Sequence, residues 1–360
     1  MKIMLVKLSS LGDILHAYAI PTYLKQLFPK CTITWACDTR FAGALKAHPH
    51  IDKVVGLSVA KLKSRKGRGK TFLGVIKSLL QVRKEKFDHI FDLQSNLKSG
   101  LLLSLMRGEN KVGFTFKSSR EWPASLFVNR RLTRKEGLHK SEELLDVVGR
   151  YFSSVETKTL PSPCFELTPD EQKVLDIFKK NKLISGRYSV MIAMGASRVN
   201  KQLSRDLWVQ ILNCLSNQYS IDFFCVWGSS SEEREVEKVQ ELTRGRVYKL
   251  SKMSIALWQG HMRLMHALIG LDSSALHLAA TIDLPTFAFF GPTLPAPFNP
   301  KGSSHQFYQG SCPYSAVFED SERCVHQKDC LTGACLKSAQ LSHFEAKIQS
   351  WFKNEVLFPN

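Results

Sequence analysis

Short apolar-rich runs recur along this chain at intervals that leave room for one helix between neighbours. In the first half they fall at 2–7, 32–37, 54–59, 89–94 and 111–116, with helix-spaced apolar residues at 13–28, 72–86 and 97–107. In the second half they fall at 188–194, 221–227, 246–250, 267–271 and 285–290, with helical spacing at 205–217, 231–243, 254–264 and 273–281. A strand that is apolar on both faces must be covered on both faces, and crossover helices supply that cover. The pattern predicts an α/β protein built on parallel sheets.

The plan runs twice, and a Pro-bearing polar stretch at 157–165 separates the two runs. At 360 residues the chain is long enough for two cores. The expected organisation is a domain over 1–165 and a second over 166–340, loop-rich from 291 to 338. A terminal amphipathic helix within 341–360 is expected to pack back on the first domain. Charge divides at the same boundary. Residues 1–165 hold 29 Lys/Arg against 13 Asp/Glu, whereas the remainder holds 21 against 19. Lys61, Lys63, Arg65, Lys66, Arg68 and Lys70 form one basic cluster, and Arg130, Arg131, Arg134 and Lys135 another. Such a field draws phosphates or carboxylates, whether on nucleic acid, an anionic membrane or an acidic substrate; a solvated loop without a partner is the plain alternative. A nucleic-acid-binding protein is the competing class, but no aromatic residue interleaves 61–70, so no nucleic-acid partner is expected. No apolar run approaches a membrane span, and the N-terminus lacks a signal-peptide pattern, so a cytoplasmic protein is expected. Nine scattered cysteines in that setting predict thiols. Cys312, Cys324, Cys330 and Cys335, with His326, lack the close Cys-x-x-Cys spacing of structural zinc.

Candidate chemistry sits where strands end. After the first strand, Lys7-Leu8-Ser9-Ser10-Leu11-Gly12-Asp13 places small residues and one carboxylate at a helix start. There Asp13 reads either as a charge favourable to the helix dipole or as a base at the mouth of a crevice. In the second half, Gly195–Lys201 offers a hydroxyl and an ammonium suited to phosphate oxygens. Trp227-Gly228-Ser229-Ser230-Ser231-Glu232 reads as a capped helix start whose Glu232 could also accept from a ribose hydroxyl. Asp272-Ser273-Ser274-Ala275-Leu276-His277 closes a strand and opens a helix. Three polar strand ends on one edge of a parallel sheet suit a nucleotide. Ser64–Thr71 nearly spells a P-loop, but Ser64 replaces the first glycine and no buried strand precedes it.

Lys7–His16, Trp227-Gly228 with Glu232, Lys252-Met253-Ser254, Asp272–Ala280 and Phe290-Gly291-Pro292-Thr293 together resemble the ADP-heptose:lipopolysaccharide heptosyltransferases, the bacterial family 9 glycosyltransferases. The opening stretch with His16, and Arg120-Glu121, Ala124–Phe127 and Asn129-Arg130, are most similar to heptosyltransferase I. The resemblance implies a GT-B fold, two Rossmann-like domains facing across a cleft, and inverting, metal-independent transfer needing no cofactor. It implies Asp13 as the catalytic carboxylate, and Ser197, Lys201, Glu232, Met253, Asp272, Ser273, Ser274 and His277 as donor contacts. Ser10, Gly12, Lys98 and Arg120 are the acceptor-side positions it implies. The implied partners are ADP-heptose, an acidic lipid A-type glycolipid, and the anionic cytoplasmic face of the inner membrane. Three positions depart from the family pattern: Met194 replaces a polar residue, Ala196 a hydroxyl residue, and Ser274 a glycine. No Asp-x-Asp occurs, so the chain has no obvious metal–diphosphate clamp.

Overall fold

Each half of the chain builds a six-stranded sheet in which every neighbouring pair runs parallel. The computed structural model describes residues 1–57, 83–154, 163–314 and 330–358. It divides into two units, Met1–Glu166 and Leu167–Asn360. In the first, β1 (Lys2–Val6), β2 (Thr32–Asp38), β3 (Lys53–Leu57), β4 (Lys86–Asp92), β5 (Arg107–Phe114) and β6 (Arg130–Leu132) lie in the order β3-β2-β1-β4-β5-β6. Its helices are α1 (Leu11–Leu15), α2 (Ile20–Leu27), α3 (Ala42–Lys46), α4 (Leu97–Leu105) and α5 (Lys140–Tyr151). In the second, β7 (Tyr188–Ala193), β8 (Ile221–Val226), β9 (Arg246–Lys249), β10 (Ala267–Leu271), β11 (Thr286–Phe290) and β12 (His305–Gln309) lie in the order β12-β11-β10-β7-β8-β9. Its helices are α6 (Pro169–Lys182), α7 (Arg205–Gln218), α8 (Ser230–Leu242), α9 (Ile255–Met262), α10 (Ser274–Ala280), α11 (Ala334–Lys337) and α12 (Glu345–Trp351).

The two-residue period of a strand is visible in how β1 is buried. Ile3 and Leu5 join Trp35, Phe91, Phe114 and Val148 in one cluster, while Met4 and Val6 join Ile90, Leu102 and Leu103 in another. Each such buried side chain contributes about 1.5–3 kcal/mol of hydrophobic stabilisation. The terminal helix packs within the second unit. Ile348, Trp351 and Phe352 are buried in the second unit's core with Val190, Ile192 and Phe287. Trp351 Nε1 donates to the Ser304 carbonyl at 2.8 Å, which ties the helix to that core.

Other differences have local causes. The helical pattern at 13–28 is two helices, because α2 restarts with Pro21 in its first turn, where a missing N–H costs nothing. β6 (Arg130-Arg131-Leu132) and β12 are edge strands whose polar sequences carry no apolar run. Helices α5 and α6 were not among the expected elements, although Leu144, Leu145, Val147, Val148 and Tyr151 recur at helical spacing in α5 and Thr168, Pro169 and Glu171 spell a start for α6. The candidate helix over 72–86 lies almost wholly outside the described residues. The basic run at 61–70 and the P-loop lookalike fall entirely outside them.

In both sheets the first strand sits in the middle and later strands are added on either side. This leaves a topological switch between β1 and β4 and another between β7 and β10. Loops leaving neighbouring strands diverge at such a point and open a crevice beyond their C-terminal ends. At the first switch the crevice floor is built by Asp92, which closes β4. Asp92 Oδ1 accepts from Gln94 N at 3.0 Å and Ser95 N at 2.8 Å, and Oδ2 from Ser99 Oγ at 3.0 Å. Gln94 Oε1, so positioned, accepts from Leu8 N at 3.0 Å and Ser9 N at 3.2 Å across the switch.

Burial raises the Asp92 carboxyl from 3.8 to about 6 despite the hydrogen bonds to it. The native state therefore holds a proton that the unfolded chain has released between those values. The stabilising contribution is complete below the unfolded value and is lost as pH rises through about 6. Urea denaturation of wild type and Asp92→Asn should show wild type losing up to about 3 kcal/mol relative to the variant from pH 4 to pH 7. A constant difference across that range would refute the assignment.

Candidate active site

The first unit's polar cluster begins with Lys7, the residue after β1. It is buried, and its ammonium donates to the Leu93 carbonyl at 2.8 Å, spanning the β1–β4 switch. Burial pulls Lys7 down to about 8; the negative charge of Asp13 is the largest influence opposing that fall, and the Arg134 guanidinium adds to it. Asp13 is the third residue of α1 and half-buried. Its Oδ2 accepts from Ser10 N at 2.9 Å and from Ser10 Oγ at 3.2 Å. The carboxylate thus serves its own helix start and remains within the field of a buried ammonium. That arrangement holds a proton acceptor in one place.

Of the expected acceptor-side positions, Ser10 and Gly12 belong to the Asp13 turn itself. Arg120 is exposed, and its backbone N–H donates to Ser95 Oγ at 3.1 Å, which ties its segment to the loop that Asp92 organises. Lys98 is exposed in the first turn of α4, and among the described residues no hydrogen bond or ion pair ties it to Asp13. His16 packs edge-on against His139, the residue that caps α5, with ring centroids 5.4 Å apart. It joins the end of α1 to the start of α5.

The second unit repeats the device. Lys201, at the end of the loop after β7, forms an ion pair with Asp272, the residue after β10, so an ammonium again bridges the switch. The Lys201 side chain is 20 % exposed and that of Asp272 only 5 %, so the cation presents the accessible end of the pair. On the other side of β7, Glu232 Oε2 accepts from Gly228 N at 2.6 Å and Ser229 N at 3.2 Å, capping α8. Gly195 explains where that carboxylate lies. A Cβ built on Gly195 would stand 2.6 Å from it, so the missing side chain lets Glu232 rest against the end of β7. Trp227 Nε1 donates to the Leu250 carbonyl at 2.8 Å, drawing the loop that carries Met253 beside the Glu232 turn. Ser197 is exposed on the β7 loop, Ser273 and Ser274 open α10, and His277 is buried within it.

Two of the departures from the family pattern lie in the apolar core. Met194 and Ala196 are both buried in the second unit's apolar core, so their side chains are part of its packing rather than polar contacts for a ligand. Asp92 and Gln94 were missed by sequence reasoning as functional supports. Their signal was two polar residues ending the otherwise apolar run 89–94. Gly291 was read only as part of a motif; its missing Cβ lets the Asn200 carbonyl pack close, backing the loop that presents Lys201. Cys335 is buried in the core and Cys330 accepts from Gly333 N, while Cys324 and His326 lie outside the described residues. Among the described residues no group of three His, Cys, Asp or Glu side chains gathers to hold a metal.

Comparison with known proteins gives the family. Residues 75–326 match the glycosyltransferase family 9 (heptosyltransferase) pattern. Lipopolysaccharide heptosyltransferase 1 of Campylobacter coli is 26% identical over 301 residues, covering 81% of this chain and 84% of that protein. The enzyme of the same name from Escherichia coli K12 is 26% identical over 306 residues, covering 82% and 89%. Among solved structures, E. coli heptosyltransferase WaaC with ADP superposes with a TM-score of 0.74 at 20% identity, covering 98% of this chain and 100% of that one. A family 9 glycosyl transferase from Veillonella parvula gives 0.77 at 16% identity, covering 98% and 97%. These likenesses make the fold GT-B. With two parallel sheets, a charged residue pair at the second switch and a family match spanning most of its length, the chain belongs to glycosyltransferase family 9, the heptosyltransferases.

Proposed function

We propose that the chain transfers heptose from ADP-L-glycero-D-manno-heptose to the 3-deoxy-octulosonate region of a lipid A-type glycolipid, a step in building the lipopolysaccharide inner core. The observation that carries the donor half is the Lys201–Asp272 pair at the β7–β10 switch, flanked by Glu232. Asp272 keeps the ammonium directed at the crevice, and diphosphate oxygens compete for the same cation. Glu232 accepts from a ribose hydroxyl, and the N–H groups opening α10 add dipoles near the diphosphate. The names of the relatives support the sugar and the pathway, and a solved neighbour that carries ADP supports the nucleotide.

Inverting transfer follows from one base and one leaving group. Asp13 takes the proton of the acceptor hydroxyl as that oxygen attacks the anomeric carbon. The carbon–oxygen bond to the diphosphate breaks as the new glycosidic bond forms, and ADP leaves with the bonding electrons. Lys201 offsets the charge that develops on the leaving oxygen, the role a metal would otherwise fill. The surplus positive charge of residues 1–165 favours an acceptor rich in carboxylates and phosphates, presented at the cytoplasmic face of the inner membrane.

The reading is tested by ADP release with ADP-heptose and a deacylated acceptor. Asp13→Asn should lower kcat by about 10²–10⁴-fold and leave ADP affinity unchanged; wild-type turnover in this variant would remove Asp13 as the base. Lys201→Met should weaken ADP binding by about 10–100-fold, with Lys201→Arg restoring part of it. Calorimetric titration that finds equal affinities would place the diphosphate elsewhere. Turnover should be unchanged by EDTA, and loss on chelation restored by a divalent ion would overturn metal independence.

A further inference from the structure

Helix α4 is apolar on more of its circumference than the core can cover. Leu102 and Leu103 are buried, and Gly100 lets the Phe127 ring approach where a Cβ would come within 2.5 Å of it. Leu97, Leu101 and Leu105, spaced by four, share the opposite face and lie open to solvent. A helix hydrophobic all round is normally enclosed, so a bare leucine row calls for a covering surface.

The row continues beyond the helix. Leu97 N donates to the Glu121 carboxylate at 2.9 Å, which brings Trp122 beside the start of α4. Arg131 donates to the Ser125 carbonyl and lies 5.2 Å over the Phe116 ring, linking Leu126 and Phe116 to the same face. These six side chains are 42–61 % exposed. Their surroundings are strongly basic: residues 95–134 contain eight Lys/Arg and two Glu. Lys98, Arg107, Lys117, Arg120, Arg130 and Arg131 are all exposed.

We propose that this face, the α4 leucine row with Trp122, Leu126 and Phe116 inside its basic rim, is where the protein lies on an anionic lipid bilayer. Apolar side chains enter the acyl boundary while Lys and Arg meet the headgroups, the two-part attraction of interfacial proteins. The rim decides between occupants. In a symmetric dimer through this face the same basic residues would oppose one another, whereas an anionic bilayer complements them. No helix among the described residues is long and apolar enough to cross a membrane, so attachment by this face would be peripheral. The proposal rests on the glycolipid-acceptor reading above, since such an acceptor is embedded in a bilayer.

Co-sedimentation with vesicles of phosphatidylcholine alone, or mixed with phosphatidylglycerol, tests it on the full chain. Wild type should sediment with the mixed vesicles and be partly released by added salt. Leu101→Ser/Leu105→Ser should bind them at least about tenfold more weakly, and Trp122→Ala more weakly than wild type. All should turn over a deacylated, water-soluble acceptor at the wild-type rate. Equal sedimentation of the double variant and wild type, or no sedimentation of wild type, overturns the proposal. Wild-type dimers that the double variant abolishes would assign the face to a second copy instead. Failure of the heptose-transfer reading would appear separately, as wild type that does not turn over the soluble acceptor.

Discussion

Unclaimed backbone groups at a topological switch must find partners, and the first half of this protein meets that constraint with polar side chains. Parallel strands that hand their chains to opposite faces leave N–H and C=O groups at their C-terminal ends without a neighbouring ladder. In the first unit Gln94 takes two of those N–H groups and Lys7 one carbonyl. In the second, the link across the corresponding seam is instead one side chain on another, Lys201 on Asp272. The side chains that close the sheet are thereby charged or polar, immobilised, and gathered at the crevice.

This accounts for residues that serve the fold and the chemistry together. Asp13 caps the turn before α1 through the oxygen that Ser10 binds. Glu232 caps α8 through Gly228 and Ser229. On sequence alone, helix capping and ligand contact looked like competing explanations for both. Capping fixes a carboxylate to well within an ångström, and a base or a ribose acceptor needs that fixity. The structural role is the means by which the other becomes available.

The parallel α/β plan, the halving of the chain and the positions of Asp13, Lys201, Glu232 and Asp272 were legible because each depends on local pattern. An apolar run marks a buried strand, and a polar residue at its end marks a sheet edge facing a crevice. What was not legible depends on contacts distant in sequence. Gln94 reaches Leu8 and Ser9 over more than eighty residues, and nothing near Gln94 announces that bond. The edge strands β6 and β12 carry little apolar content and offer no run to read. The terminal helix shows the same limit: an amphipathic pattern reports that a helix has an apolar side, not which core receives it.

Gly195 adds a different consequence. Its contribution to the β7 loop is a vacancy, since the Glu232 carboxylate occupies the volume a Cβ would take. A vacancy cannot be improved by substitution, only filled, and every alternative residue is at least as large as alanine. An added Cβ there would displace the Glu232 carboxylate before any other group.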